Sequence, residues 1–205
     1  MTLATLARSA SAPPSAADLE TRILDAALVL IARWGLTKTA VADIAREAGC
    51  ARATVYRAFP GGRVELFEAL GHRELTRAAT TVAAAIDAAD DLGAAVAGGL
   101  CAAATALRDH DAAQFVVTHE PGLLVPVLGF HHVDLVYQLA VTVFAPRLER
   151  FTTPAAAAWA AECAARAFVS LVFTPSPDLD LTDVTHARSV VDRFILPSLV
   201  PASAT

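Results

Sequence analysis

Two guanidiniums, a phenol and a hydroxyl fall within six consecutive positions of this chain, at Arg52, Thr54, Tyr56 and Arg57. On a helix, Arg52, Ala53, Tyr56 and Arg57 stand at i, i+1, i+4 and i+5 and share one face, with Thr54 at its edge. Arginine donates two parallel hydrogen bonds to guanine, while hydroxyls and phenols reach phosphate oxygens. Such a face has the chemistry of a helix laid in a major groove. Val55 and Phe59, four apart, are the residues this helix would bury. An ordinary helical hairpin with a solvated charged face has the same spacing, so the neighbouring elements must decide.

A second group lies between residues 115 and 144, where FVVTHEPGLLVPVLGFHHVDLVYQLAVTVF sets histidines and other polar residues into an apolar region broken by prolines. Phe130, Asp134, Tyr137 and Val141 follow i, i+4, i+7 and i+11 and so share a helix face. Three chemistries are open to this region. Its histidines are surface or satisfied core residues, or they line a pocket and hydrogen-bond a mostly apolar ligand, or His119, Glu120, His131, His132 and Asp134 supply donors to a metal. No compact spacing unites those donors, and Leu123 stands where an HExxH motif needs its second histidine. Neither a metal nor a cofactor is assigned.

The elements that must position the first group are legible around it. Val41, Ile44, Ala45 and Ala48 at i, i+3, i+4 and i+7 form one apolar stripe of a short helix, and Gly49 stands where that helix must stop. Two helices across a tight turn, the second turning Arg, Thr and Tyr outward, make a helix-turn-helix. A preceding helix over 16–34, with Ile23, Leu24, Ala27, Leu28, Ile31 and Trp34 inward and Gly35 as its stop, is expected to bury the backs of both.

The run from Gly35 to Leu70, GLTKTAVADIAREAGCARATVYRAFPGGRVELFEAL, resembles the N-terminal domain of the TetR-type transcriptional regulators. Gly35, Thr39, Val41, Ile44, Ala45, Ala48, Gly49, Thr54, Tyr56, Phe59, Glu65 and Leu66 carry the likeness, which with the preceding helix covers about the first third of the chain. Three positions depart from the family pattern. Ala51 stands where a serine often caps the recognition helix, Gly62 where a lysine often lies near a phosphate, and Cys50 where the turn commonly has valine. The resemblance implies that Thr39, Arg52, Ala53, Thr54, Tyr56, Arg57 and Arg63 meet DNA, Arg63 taking over the contact of the missing lysine. It also implies an effector pocket in the C-terminal part, for which Phe115, His119, Phe130, His131, Asp134, Tyr137 and Trp159 are the candidates.

Composition agrees with a helical protein. The chain has 205 residues, 55% of them hydrophobic and few aromatic, and its abundant alanine favours closely packed helices. Its formal charge of −5 divides unevenly. Residues 1–73 carry nine Lys/Arg against seven Asp/Glu, hence +2, and the remainder seven against fourteen, hence −7, as suits one part that meets phosphates and another that does not. Cys50, Cys101 and Cys163 have no zinc or redox spacing, which points to a reducing cytoplasm. No signal peptide and no membrane span are expected.

The expected fold is all-α, with a flexible arm over 1–17, a three-helix DNA-binding domain over 18–62 and an effector-binding and dimerisation domain over 63–205. A long helix should run from about residue 63 to 89, followed by helices near 91–108, 111–119, 122–128, 130–149, 155–173 and 183–196. The last two offer Trp159, Phe168, Val169, Val172, Val184 and Phe194, more apolar surface than one internal contact covers, and in the resembling family such helices pair two subunits. The reading that follows is a ligand-responsive regulator, a repressor by the family's commoner habit. It would bind a palindromic double-stranded operator as a cytoplasmic homodimer and be released by a small hydrophobic effector. The rival readings are a helical ligand- or metal-binding protein with a degenerate DNA-binding domain, and an enzyme. Against the enzyme stands the lack of a GxSxG elbow, a phosphate-cradling glycine loop or metal-hydrolase spacing.

Overall fold

The computed structural model describes residues 15–123 and 133–199, without the side chains of 133–135 and 173. Contacts group the chain into two compact units, with the division between Leu70 and Gly71. Among the described residues all regular structure is helical, and a single bridge pairs Ser176 with Leu179. The 1–17 arm lies almost wholly outside the described residues, as do most of the helix expected at 122–128 and the start of that expected at 130–149.

The first unit begins at α1, Ala16–Trp34, which starts where Ser15 and Asp18 cap each other's backbone N–H groups. Its inner stripe buries Ile23, Leu24, Ala27, Leu30 and Ile31. Trp34 does not follow: it is 40% exposed, because the helix ends there and the ring turns out under the Arg33 guanidinium. α2, Val41–Glu47, and α3, Arg52–Ala58, both pack on α1 and on each other. α4 begins at Gly62 and runs to Asp87, with Leu66 and Leu70 of its first turns buried.

In the second unit α5, Leu92–Arg108, packs against α9, Pro154–Phe173, and α10, Val184–Val190. Between them come α6, Asp111–His119, then α7, Val133–Leu139, continuing through a π-helical turn, Ala140–Phe144, into α8, Ala145–Leu148. α10 likewise continues through a π-helical turn, Val191–Ile195, into a 3-10 turn, Leu196–Leu199. The core joins Val82 and Ile86 of α4 to Val96 and Leu100 of α5, Leu148, Ala157, Ala160, Ala161, Val190, Val191 and Ile195. Small residues let the helices approach: a Cβ on Gly99 would lie 3.1 Å from Ile86. Arg150 closes the C-terminal end of α4 by donating to the carbonyls of Ile86, Asp87 and Ala89. Pro154–Val172 in α9 is long and apolar enough to cross a membrane by length and composition, although Ala157, Ala160 and Ala161 are buried in this core.

Candidate nucleic-acid interface

α2 ends in a complete Schellman motif, the N–H of Gly49 donating to Arg46 O and that of Cys50 to Ala45 O. Gly49 has φ +64°, a conformation that any Cβ would strain, so the sequence stops α2 at this residue and turns the chain into α3. Ala51 occupies the N-cap of α3 and provides no side-chain bond there.

α3 is anchored from behind. Val55 is fully buried and Phe59 is 5% exposed, while Arg52, Ala53, Tyr56 and Arg57 all face solvent and Thr54 lies at the margin. The exposed groups are held by their neighbours. Arg52 lies 5.4 Å over the Tyr56 ring and donates to its hydroxyl at 3.1 Å, and Arg57 reaches the Thr54 hydroxyl at 3.4 Å. These contacts are weak and solvent-facing, so both guanidiniums keep donors free for a ligand.

Two of the candidate side chains, Thr39 and Arg63, also bond within the protein. Thr39 is only 1% exposed, and its hydroxyl donates to Gly35 O at 2.7 Å. The side chain thus closes the α1–α2 loop, and its hydroxyl is committed to that carbonyl. Arg63 donates through Nε to Thr39 O at 3.2 Å and through a terminal nitrogen to Leu36 O at 2.7 Å, and it stacks on Phe67 at 4.7 Å. Its guanidinium thus staples the α1–α2 loop to the start of α4.

Residues that the sequence pattern did not single out also shape this face. Gly62, read from sequence only as a missing lysine, has φ +68°, and a Cβ built on it would sit 3.1 Å from Cε1 of Tyr56. The signal was there in the Pro60-Gly61-Gly62 run, which marks a turn needing an unusual backbone. Lys38 is exposed in the same α1–α2 loop.

With this geometry in view, the likeness to known proteins can be located. Residues 23–70 match the family model for bacterial regulatory proteins of the tetR family. Residues 23–70 have the sequence of a TetR-family N-terminal domain. The TetR-type domain is a helix-turn-helix DNA-binding module of transcriptional regulators, and it spans α1 to the first turns of α4. Solved structures share the fold over most of the chain. The TetR family repressor AlkX from Dietzia sp. strain DQ12-45-1b, implicated in biodegradation of n-alkanes, is 21% identical with a TM-score of 0.62, over 88% of this chain and 94% of that one. A TetR-like transcriptional regulator from Rhodococcus sp. RHA1 is 18% identical with a TM-score of 0.55, over 93% and 100%. The fatty acid degradation regulator FadR from Bacillus halodurans is 19% identical with a TM-score of 0.58, over 88% and 96%. At these identities the likeness is one of fold, and no curated protein matches the chain.

Four of the candidates for effector binding have side chains among the described residues. Phe115 and His119 stack on each other on α6, with ring centroids 4.5 Å apart. Tyr137 on α7 packs under the Arg166 guanidinium at 4.4 Å. Trp159 is 47% exposed and donates to the Ser198 hydroxyl at 3.0 Å, so its indole faces outward from α9 and lines no cavity described here. Phe130, His131 and the side chain of Asp134 lie outside the described residues. Among the described residues no group of three or more His, Cys, Asp or Glu side chains could hold a metal ion. A cavity of about 290 Å³ opens elsewhere in the second unit, at the ends of α5 and α9, beside α6 and the linker 174–183, with Leu107, Val117, Leu171 and Leu179 among its walls.

Proposed function

We propose that this protein is a cytoplasmic, ligand-responsive transcriptional repressor that binds a palindromic operator as a homodimer and is released by a small, mostly apolar effector. The division into an arm over 1–17, a DNA-binding domain over 18–62 and an effector and dimerisation domain over 63–205 belongs to this reading. The observation that carries it is the facing of α3: Val55 and Phe59 are buried, while Arg52, Tyr56 and Arg57 stand in solvent.

Exposed apolar side chains on the last helices support the dimer. Trp159 on α9, Val184 on α10 and Phe194 in the turn after it are 47%, 58% and 68% exposed, too large and too many for a solvated face. A twofold pairing through these elements would set two copies of α3 on successive major grooves, about 34–36 Å apart. Release requires an effector that binds the two conformations with different affinity, and α4, shared by the two units, is the element that would carry the change.

The test is binding to a palindromic fragment from the promoter beside the protein's own gene, measured across salt concentrations. Two bound subunits and a steep inverse salt dependence are the expected result. Absence of binding at every salt concentration would favour a helical ligand-binding protein whose DNA-binding domain has decayed, for which the uncapped start of α3 at Ala51 speaks.

A further inference from the structure

The cavity in the second unit is open to solvent on one side and is lined by apolar side chains together with two charges of opposite sign, Arg108 and Asp180, and with Gln114 and Thr182. We infer that it binds a small, mostly apolar molecule with a neutral polar end, of the alcohol, phenol or amide class. The bonds these polar groups already make leave a mixed set of partners for a ligand. Arg108 uses Nε on Asp109, at 2.9 Å. One oxygen of Asp180 accepts the N–H and hydroxyl of Thr182, at 2.8 and 2.7 Å. Gln114 donates its amide to Leu107 O at 2.9 Å, which leaves its side-chain oxygen as an acceptor.

What faces the ligand is therefore a cationic donor beside an anionic and an amide acceptor. A hydroxyl or primary amide satisfies both kinds of partner at once. An ion would give up its hydration for a site whose charges offset each other, which disfavours a carboxylate or an amine. A volume of about 290 Å³ lies at the small end for ligand sites and suits on the order of ten to fifteen non-hydrogen atoms.

The linker that lines one side of the cavity leads directly into α10. The Cys101 thiol donates to Thr182 O at 3.3 Å, the Asp180 N–H donates to His186 Nδ1 at 3.2 Å, and Leu181 is buried. Asp183 then caps α10 by accepting the Thr185 N–H. A molecule in the cavity thus presses on the segment that fixes the start of α10. This regulatory consequence rests on the effector-responsive reading above, whereas the binding itself does not.

The test uses the full chain with 1-octanol and octanoate, followed by calorimetry and by amide chemical shifts. Saturable one-to-one binding of octanol is expected, with shifts at Leu107, Val117 and Thr182 and with octanoate weaker by roughly tenfold or more. Val117→Trp and Leu179→Trp, which fill the cavity from two sides, should each weaken octanol by a similar factor while the circular dichroism stays unchanged. Asp180→Asn keeps the oxygen that holds Thr182 and should narrow the gap between octanoate and octanol. Absence of saturable octanol binding, or full affinity in both filled variants, overturns the site, and octanoate binding as tightly as octanol overturns the neutral class. Octanol that binds yet leaves operator affinity unchanged upholds the site and counts against the effector reading alone.

Discussion

The face of α3 and the cavity of the second unit are assembled in opposite ways. On α3 the groups proposed to meet DNA come from six consecutive positions, and their partners lie three or four residues away, Arg52 with Tyr56 and Arg57 with Thr54. The cavity draws Arg108, Gln114, Leu171 and Asp180 from four separate segments, and no two of them share a helix. A local site is fixed by helix periodicity once its back is buried. A site gathered from distant segments is fixed only by packing, so its chemistry changes whenever any one segment shifts.

The largest effect expected in a test of this contrast is a loss of burial behind α3. Ile44→Ala empties a fully buried site and should destabilise the protein by about 2–4 kcal/mol, seen in urea unfolding. Arg57→Ala should leave unfolding unchanged and cost about 1–3 kcal/mol in operator binding, because its side chain is exposed and it can read a base. If Arg57→Ala instead unfolds the protein, the local picture of α3 is wrong. Ala51→Ser supplies the absent N-cap and should stabilise by about 1 kcal/mol.

The smallest effect concerns a cluster in the second unit. Glu74 accepts from Arg73 at 2.7 Å and Arg77 at 3.1 Å, with His110 Nε2 3.5 Å away. Burial raises its carboxyl, but the hydrogen bond and charge of Arg73, with the charges of Arg77 and His110, hold it below the usual carboxylate range. Its stabilisation is then fully present above the unfolded pKa and is lost as the pH falls through the lower folded value. Glu74→Gln should melt roughly 1–3 °C lower at neutral pH, and the difference should vanish on acidification. A constant difference across pH would mean that packing, not charge, is what Glu74 contributes.

How much of this was legible in the sequence follows the same division. The bounds of α1, the stop at Gly49 and the facing of α3 each follow from residues adjacent in the chain: a cap, a glycine, and apolar positions four apart. The burial of Thr39 was not legible, because position in a motif does not show whether a hydroxyl finds a carbonyl one turn back, as Thr39 finds Gly35. Trp34 was misplaced because periodicity carries on to the last helical residue, where the core has already ended. The cavity had no signal at all. Leu107, Val117, Leu171 and Leu179 are ordinary helix and linker residues until α5, α6 and α9 are packed, and His119, conspicuous in sequence, is not one of its walls.

The left-handed backbone at Gly62 bears on any attempt to redirect this protein to new DNA. The Tyr56 ring fills the space beside that glycine, so a foreign α3 transplanted alone would arrive at a junction shaped for a different side chain. The unit that can be exchanged between regulators is the continuous stretch from Ala51 through Gly62, helix and junction together, and libraries built on α3 alone would explore only the variants that tolerate a tyrosine-shaped gap.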